Sequence, residues 1–327
     1  MFNPSLPLLE WLKIYLEEPG ESEATMNILI AGGTGLIGSA LAESYLSDGH
    51  QVSIISRNPA KVAKIYHPVA WDEPSLVAAL AQTDAVINLA GASLAGENPL
   101  QMRWTPKHKQ AIISSRLTVG KKLLQAISKL DRKPEAFLQA SAIGFYDSKE
   151  VGPADEKTVS GNDFLANVCR DWEASTADIE ELGVRRLVIR IGLVLSQSGG
   201  LLPLLALPFR LFVGGRIGSG NQFLSWVHIQ DVVESIKFLI EHPEHQGIYN
   251  LTAPNPVTNR EFSCALGKTL HRPSWLPVPA FALKLILGEA ATLALDGRPV
   301  YPVRLLKSGY NFAFPDLASS LEDLLPA

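Results

Sequence analysis

The chain has 327 residues, of which 46% are hydrophobic and 19% charged, and a formal net charge of -4. That balance belongs to a globular protein able to bury a full core, and it offers no basic excess with which to neutralise the phosphates of a nucleic acid. The two cysteines, Cys169 and Cys264, stand far apart without histidines at metal-ligand spacing, so neither a disulfide framework nor a metal site is expected, and a reducing cytoplasm fits.

Residues 1–25 form an N-terminal extension ahead of Met26, itself a candidate start. They carry five glutamates against one lysine, the wrong sign for a transit peptide or signal sequence. Leu8, Leu9, Leu12, Tyr15 and Leu16 share one face of a short helical pattern, so the segment reads either as an optional tail or as a docking helix. No membrane span is expected: Pro208 and Arg210 interrupt Leu201 to Val213, and Lys284 and Glu289 interrupt Phe281 to Leu295.

From Met26 onward, β-rich runs alternate with helical patterns. The runs fall at Ile28 to Ala31, Val52 to Ser56, Ala85 to Ala90, Phe137 to Ser141 and Arg186 to Leu195, and the longest helical pattern spans Lys107 to Leu130. Such alternation predicts βαβ units, hence an α/β fold with a Rossmann-like, doubly wound parallel sheet covered on both faces. Residues 26–200 are expected to form this domain, completed by segments near 222–252. From Leu201 the sequence becomes dense in Pro and Gly, and residues 201–327 read mainly as a smaller, substrate-side and C-terminal helical region.

Gly32, Gly35 and Gly38 stand between the first strand and its helix. There they permit a tight turn, close approach of backbone to a pyrophosphate, and packing of helix on sheet, with helix-start amides facing the anion. The next strand ends in Ser56 and Arg57 where an NAD site places Asp or Glu. A guanidinium bonds a 2′-phosphate, so NADP(H) is the expected cofactor, against the alternative of Arg57 as a solvated surface residue.

"AGGTGLIGSAL", "INLAG" at Ile87 to Gly91, "QASAIGFY" at Gln139 to Tyr146 and "WVHIQDVVESI" at Trp226 to Ile236 resemble the extended short-chain dehydrogenase/reductases. "RWTPKHKQAIISSR", "DFLANVCRDWE", "GGRIGSGNQFLSWVHIQD" and the tail's "DGRPVYPVRLLKSGYNFAFPDLASSLED" resemble, more closely, the atypical epimerase-family branch with its own C-terminal domain of unknown function. Some members of that branch carry a cell-division-inhibitor or plastid-division label. The resemblance implies a Rossmann-like domain and NADP(H), with cofactor contacts from Gly32, Thr34, Gly35, Leu36, Ile37 and Gly38, from Ser56 and Arg57, from Asn88, Leu89, Ala90 and Gly91, and from Ser141. The family's acid/base set is a Ser or Thr after the fifth strand and a Tyr-x-x-x-Lys on the next helix, where lysine lowers the tyrosine's pKa. Ser141 matches its first member, whereas Phe164, Leu165, Val168 and Cys169 occupy the neighbourhood of the Tyr and Lys.

Tyr146 is the candidate surrogate acid, the alternative being a tyrosine that bridges core and solvent. Glu173 reads as a base or a surface charge, Arg190 as an anchor for an anionic substrate or a core partner. Asp231 reads as the N-cap of a helix over Val232 to Ile240, with His228 supporting its loop. Two functions are compatible with these residues. One is an NADP(H)-dependent epimerase or reductase acting on an unidentified small molecule; the other is a cofactor-binding regulator with a protein partner or a second copy of itself, in division among other settings.

Overall fold

The computed structural model describes residues 25–94, 102–150 and 152–326; the N-terminal helical pattern lies outside the described residues. The chain runs β1 (Asn27–Ala31), α1 (Leu36–Ser47), β2 (Gln51–Ile55), β3 (His67–Val69), α2 (Glu73–Leu80), β4 (Ala85–Asn88), α3 (Pro106–Ser128), β5 (Ala136–Ala142), α4 (Phe164–Ala174) and β6 (Arg185–Ile191). It continues through β7 (Leu193–Leu195), α5 (Leu202–Arg210), β8 (Phe223–Leu224), β9 (Trp226–His228), α6 (Ile229–Glu241), β10 (Gly247–Leu251), β11 (Val257–Thr258), α7 (Asn259–Thr269), α8 (Ala280–Leu287), α9 (Thr292–Leu295), α10 (Val303–Lys307) and α11 (Leu317–Leu324).

A seven-stranded parallel sheet in the order β10-β6-β5-β4-β1-β2-β3 organises these elements. Because side chains alternate along a strand, β1 serves two cores at once. Ile28 and Ile30 pack with Leu41 and Tyr45 of α1 and Ile236 of α6, while Leu29 and Ala31 pack with Leu80 of α2 and Leu123 and Ile127 of α3. The sheet is therefore doubly wound, as the alternating sequence pattern leads one to expect.

Local chemistry marks the helix starts. Thr105, Asp163 and Asp72 cap α3, α4 and α2 through side-chain oxygens, and Thr258 and Glu261 form a capping box on α7. At α6 the roles differ from the sequence reading. His228 is the cap, its Nδ1 accepting from the Gln230 amide at 3.1 Å, so the ring proton sits on Nε2 facing Asp323. Asp231 is fully buried and ties down the C-terminal segment, accepting from the Tyr310 hydroxyl and the Ala313 and Phe314 amides. A carboxylate buried among three donors serves better as an anchor than as an exposed cap.

The strand read as Arg186 to Leu195 breaks at Gly192, where a Cβ would collide with the Ser225 carbonyl. The chain there leaves the main sheet, and β7 pairs with β9 in a separate parallel ribbon. A further apolar core joins α5, α7 and α11 through Leu202, Phe209, Phe262, Leu266, Leu317 and Leu321.

At the other end of the fold, Gly38 holds α1 against the turn after β1: a Cβ there would strike the Gly32 carbonyl and come within 2.8 Å of the Gly33 Cα. Backbone on both sides leaves nothing that can yield cheaply. Gly38→Ala is expected to cost about 1–3 kcal/mol, read as a lowered urea midpoint with an unchanged denaturant slope.

Candidate functional site: a dinucleotide crevice beside a closed polar network

From β1 the chain passes to β2 on one side, while β4 pairs with β1 on the other. Open α/β sheets form their binding crevice at such a point, beyond the carboxyl ends of the strands. Here those ends are Ala31 and Asn88. Gly32 has φ +88, and a Cβ on it would approach the Leu89 carbonyl to 2.9 Å and the Ala90 nitrogen to 3.0 Å. The Leu89 amide bonds the Ala31 carbonyl at 2.8 Å, so the two strand ends stay clasped. Gly33, which the three-glycine reading passed over, lies against the Ile54 side chain.

Gly35 differs from its neighbours. It is exposed, and a Cβ there would meet only the Gly32 carbonyl, at 3.3 Å. It caps α1 with no side-chain hydrogen bond, and the first turn contains no acidic residue. The helix start thus presents its amides and positive dipole end to the crevice without a protein anion in front of them. Thr34 is exposed beside it, Leu36 and Ile37 are half-buried, and the Leu36 side chain lies under Gly199 and Gly200.

At the end of β2, the Ser56 hydroxyl accepts from the Asn58 amide at 3.1 Å. Arg57 is exposed and makes no hydrogen bond or ion pair among the described residues. The Asn88 side chain turns inward. Its amide donates to Gln139 at 3.0 Å and accepts from the Ala90 nitrogen at 3.3 Å, and the residue is fully buried. Its side chain shapes the turn through Leu89, Ala90 and Gly91, whose backbone then borders the crevice.

The two catalytic candidates are brought together, but beneath the surface. Ser141 is 2% exposed and donates to Glu173 at 2.6 Å. Arg190 clasps the same carboxylate, Nε to Oε1 at 2.8 Å and Nη2 to Oε2 at 2.9 Å. Its Nη1 donates to the Tyr146 hydroxyl at 3.0 Å, and that hydroxyl donates onward to Asn250 at 2.7 Å. Arg190 also lies over the Phe145 ring. Burial opposes its charge, but the Glu173 bonds outweigh burial and hold its pKa above the ordinary value. Burial likewise pushes the Tyr146 phenol up, despite the adjacent guanidinium.

This network engages both hydroxyls. Tyr146 bridges core elements with each side of its oxygen occupied, and Ser141 points into the Glu173–Arg190 pair. The next residue along β5, half-buried Ala142, has no hydroxyl to offer. Arg190 is a core partner, and Glu173 is held by it. The helix that follows, α4, contains neither tyrosine nor lysine. Its Phe164 and Leu165 join Trp104, Leu94, Leu287 and Ala290 in an apolar cluster, and Lys109 bonds Glu289 at 2.6 Å beside the Phe164 ring. Burial pushes the Cys169 thiol up to about 12, which leaves it an unreactive thiol.

Removing one member of such a network leaves its partners buried and unpaired. Glu173→Gln is expected to cost about 3–5 kcal/mol, because Arg190 loses its counter-charge. Tyr146→Phe is expected to cost about 1–3 kcal/mol by orphaning the Asn250 oxygen. Urea denaturation of both variants checks the order; equal stabilities to the parent would show that the network is not closed in solution.

Residues 28–252 match the NAD dependent epimerase/dehydratase family, and residues 278–324 match a domain of unknown function, DUF1731. The chloroplastic epimerase family protein SDR39U1 homolog of Arabidopsis thaliana is 38% identical over 315 residues, 93% of this chain and 88% of that one. Epimerase family protein YfhF of Bacillus subtilis is 38% identical over 304 residues, 92% of this chain and 98% of its own. Among solved structures, human epimerase family protein SDR39U1 (isoform 2), crystallised with NADPH, superposes with a TM-score of 0.83 at 34% identity, over 91% of this chain and 99% of that one. By its sheet, its matched length and these relatives, the chain belongs to the NAD dependent epimerase/dehydratase family and carries DUF1731 at its C-terminal end.

Proposed function

We propose that the crevice binds NADP(H), and that the chain is an epimerase- or reductase-like NADP(H) protein whose proton chemistry does not use a Tyr-x-x-x-Lys pair. One observation carries the cofactor: an uncapped helix start behind exposed Gly35 lies in line with Arg57, an unpaired cation where an NAD site has an acid. The amides of Leu36, Ile37 and Gly38 suit a pyrophosphate. Arg57, with Ser56 beside it, suits a 2′-phosphate through charge-assisted bonds. The NADPH in the human relative's structure supports the same assignment.

Bound there, the cofactor supplies hydride transfer, and the protein's part is to hold and orient it. Ser141 and Tyr146 spend their hydroxyls within the core, so either serves as a proton donor near the hydride only if those bonds open when the cofactor binds. A second reading has its own support. The apolar cluster of Phe164, Leu165 and Trp104 with Leu287 and Ala290 ties the crevice side of α4 to the C-terminal region. On that reading cofactor occupancy is sensed through this contact and passed to a protein partner, in cell or plastid division or another setting. A reducing cytoplasm suits both readings, since Cys169 and Cys264 are free thiols.

The parent protein is expected to bind NADPH at least about tenfold more tightly than NADH, and Arg57→Asp to lose that preference, since a charge-assisted contact contributes about 1.5–3 kcal/mol. Calorimetric titration of both cofactors decides it; equal affinities in the parent would remove Arg57 from this role. Separately, no turnover of common sugar nucleotides or simple ketones is expected under conditions where NADPH binds, because acid–base help of about 10² to 10⁴ in rate is missing. Robust reduction of an ordinary ketone would refute the loss.

A further inference from the structure

Helix α7 buries Phe262, Ser263, Leu266 and Gly267 and leaves Arg260, Cys264 and Lys268 exposed on its outer side. A cavity of about 310 Å³ opens there, lined by Arg216, Arg260, Cys264, Ser274, Trp275 and Pro277. That volume is at the lower end of the range for small-molecule sites. None of the residues placed at the dinucleotide crevice takes part in it.

Two guanidinium groups share this cavity without a counter-charge. Arg216 Nη1 donates to the carbonyls of Gly218 (3.2 Å) and Ser219 (2.8 Å), and Arg260 Nη2 donates to the same Ser219 carbonyl at 3.4 Å. No carboxylate pairs with either arginine among the described residues. Residues 201–227 contain no Asp or Glu, and residues 259–280 contain only Glu261, whose carboxylate accepts from the Thr258 amide and hydroxyl. Like charges gathered on one acceptor repel each other, and an anion between them relieves that repulsion.

The indole in the cavity is held in place although 64% of Trp275 is exposed. Its Nε1 donates to the Phe212 carbonyl at 2.9 Å, and the Gly214 carbonyl accepts from the amides of Trp275 and Leu276 at 3.0 and 3.1 Å. Phe212 has φ +64 and His271 φ +54, the two non-glycine residues with positive φ among the described residues. Both belong to the frame of this indole. Phe212 supplies its acceptor, and His271 precedes Arg272, whose Cζ lies 4.5 Å from the centre of the Phe212 ring. Backbone strain of this kind collects at ligand clamps. An exposed indole fixed at its ring nitrogen and its amide loses little freedom when another ring stacks on it.

We propose that this cavity is a second ligand site, for a mononucleotide whose base stacks on Trp275 and whose phosphate sits between Arg216 and Arg260. Guanidinium groups give phosphate charge-assisted, forked hydrogen bonds, and base–aromatic stacking accepts any base. An inorganic anion alone makes no use of the fixed indole, and a neutral aromatic compound leaves the two cations opposed. The volume suits a mononucleotide rather than a dinucleotide. The inference is independent of the NADP(H) reading, which depends on Arg57 and Gly35.

Cys264 is exposed in the cavity and Cys169 is buried, so one accessible thiol reports on the site. The test is the rate at which iodoacetamide alkylates Cys264 in the full chain, followed by peptide mass spectrometry, with AMP, adenosine or inorganic phosphate present. At about ten times its Kd, AMP is expected to slow alkylation about tenfold, in proportion to the sites left empty. Adenosine and phosphate are each expected to protect only at much higher concentrations. Arg260 is exposed, so Arg260→Gln spares the core. With each variant compared to its own ligand-free rate, Arg260→Gln is expected to raise the AMP concentration for half-protection about tenfold or more. Arg57→Asp is expected to leave that concentration unchanged. Alkylation unaffected by AMP, protection undiminished in Arg260→Gln, equal protection by inorganic phosphate, or protection lost in Arg57→Asp would each overturn the inference.

Discussion

The turn after β1 has no space for side chains on its inner side, and the placement of the crevice follows from that constraint. The Gly32 carbonyl is wedged under the Cα of Gly38, while the Gly32 Cα itself presses on the backbone of Leu89 and Ala90. Two strand ends and one helix start are thereby brought closer than any residue with a Cβ allows. The helix start then points outward at Gly35, the exposed glycine of this series, whose only near neighbour is the Gly32 carbonyl. Packing fixes the inner glycines; the outer one remains for a ligand. The same clasp sets Arg57, at the end of β2, and the Gly91 turn, beyond β4, on either side of the helix start.

A second constraint lies behind the crevice. Burying Arg190 required a counter-charge and an acceptor for a further proton; Glu173 and Tyr146 provide them, and Asn250 accepts the Tyr146 hydroxyl proton in turn. Once that network is complete, both of its hydroxyls are engaged. Arg116 is the contrasting case, with nearly the same burial and no counter-charge. One arginine is paired within the frame, while the other meets two backbone carbonyls and an aromatic face. Family membership makes a dinucleotide fold certain, but the chemistry has to be argued from these side chains.

The glycine turn was legible in the sequence because its requirements are local: a strand, three glycines at fixed spacing, and a helix. The doubly wound parallel sheet was legible for a related reason, since strands that alternate with helices need crossover connections. β3, only three residues long with a proline at its centre, gave no periodic signal. Nor did sequence show which way Ser141 faces. Strand phase is set by the partner across β6, and Glu173 and Arg190 meet the serine only after folding. Asp231 looked like a cap because it begins a helical pattern, but its ligands lie 79–83 residues away. Arg116 did leave a trace: it interrupts an apolar stripe running from Ile112 to Ile127, where a buried charge calls for an explanation.

On the proposed reading, a main-chain cradle and Arg57 hold NADP(H) across the β1–β4 crevice. A crystal structure of the full chain with NADPH tests it most directly. The expected result is pyrophosphate density against the amides that follow Gly35, with the 2′-phosphate bonded to Arg57 and the nicotinamide riboside on the Gly91 side. Density for the cofactor elsewhere on the chain, or a 2′-phosphate turned to solvent away from Arg57, would contradict it.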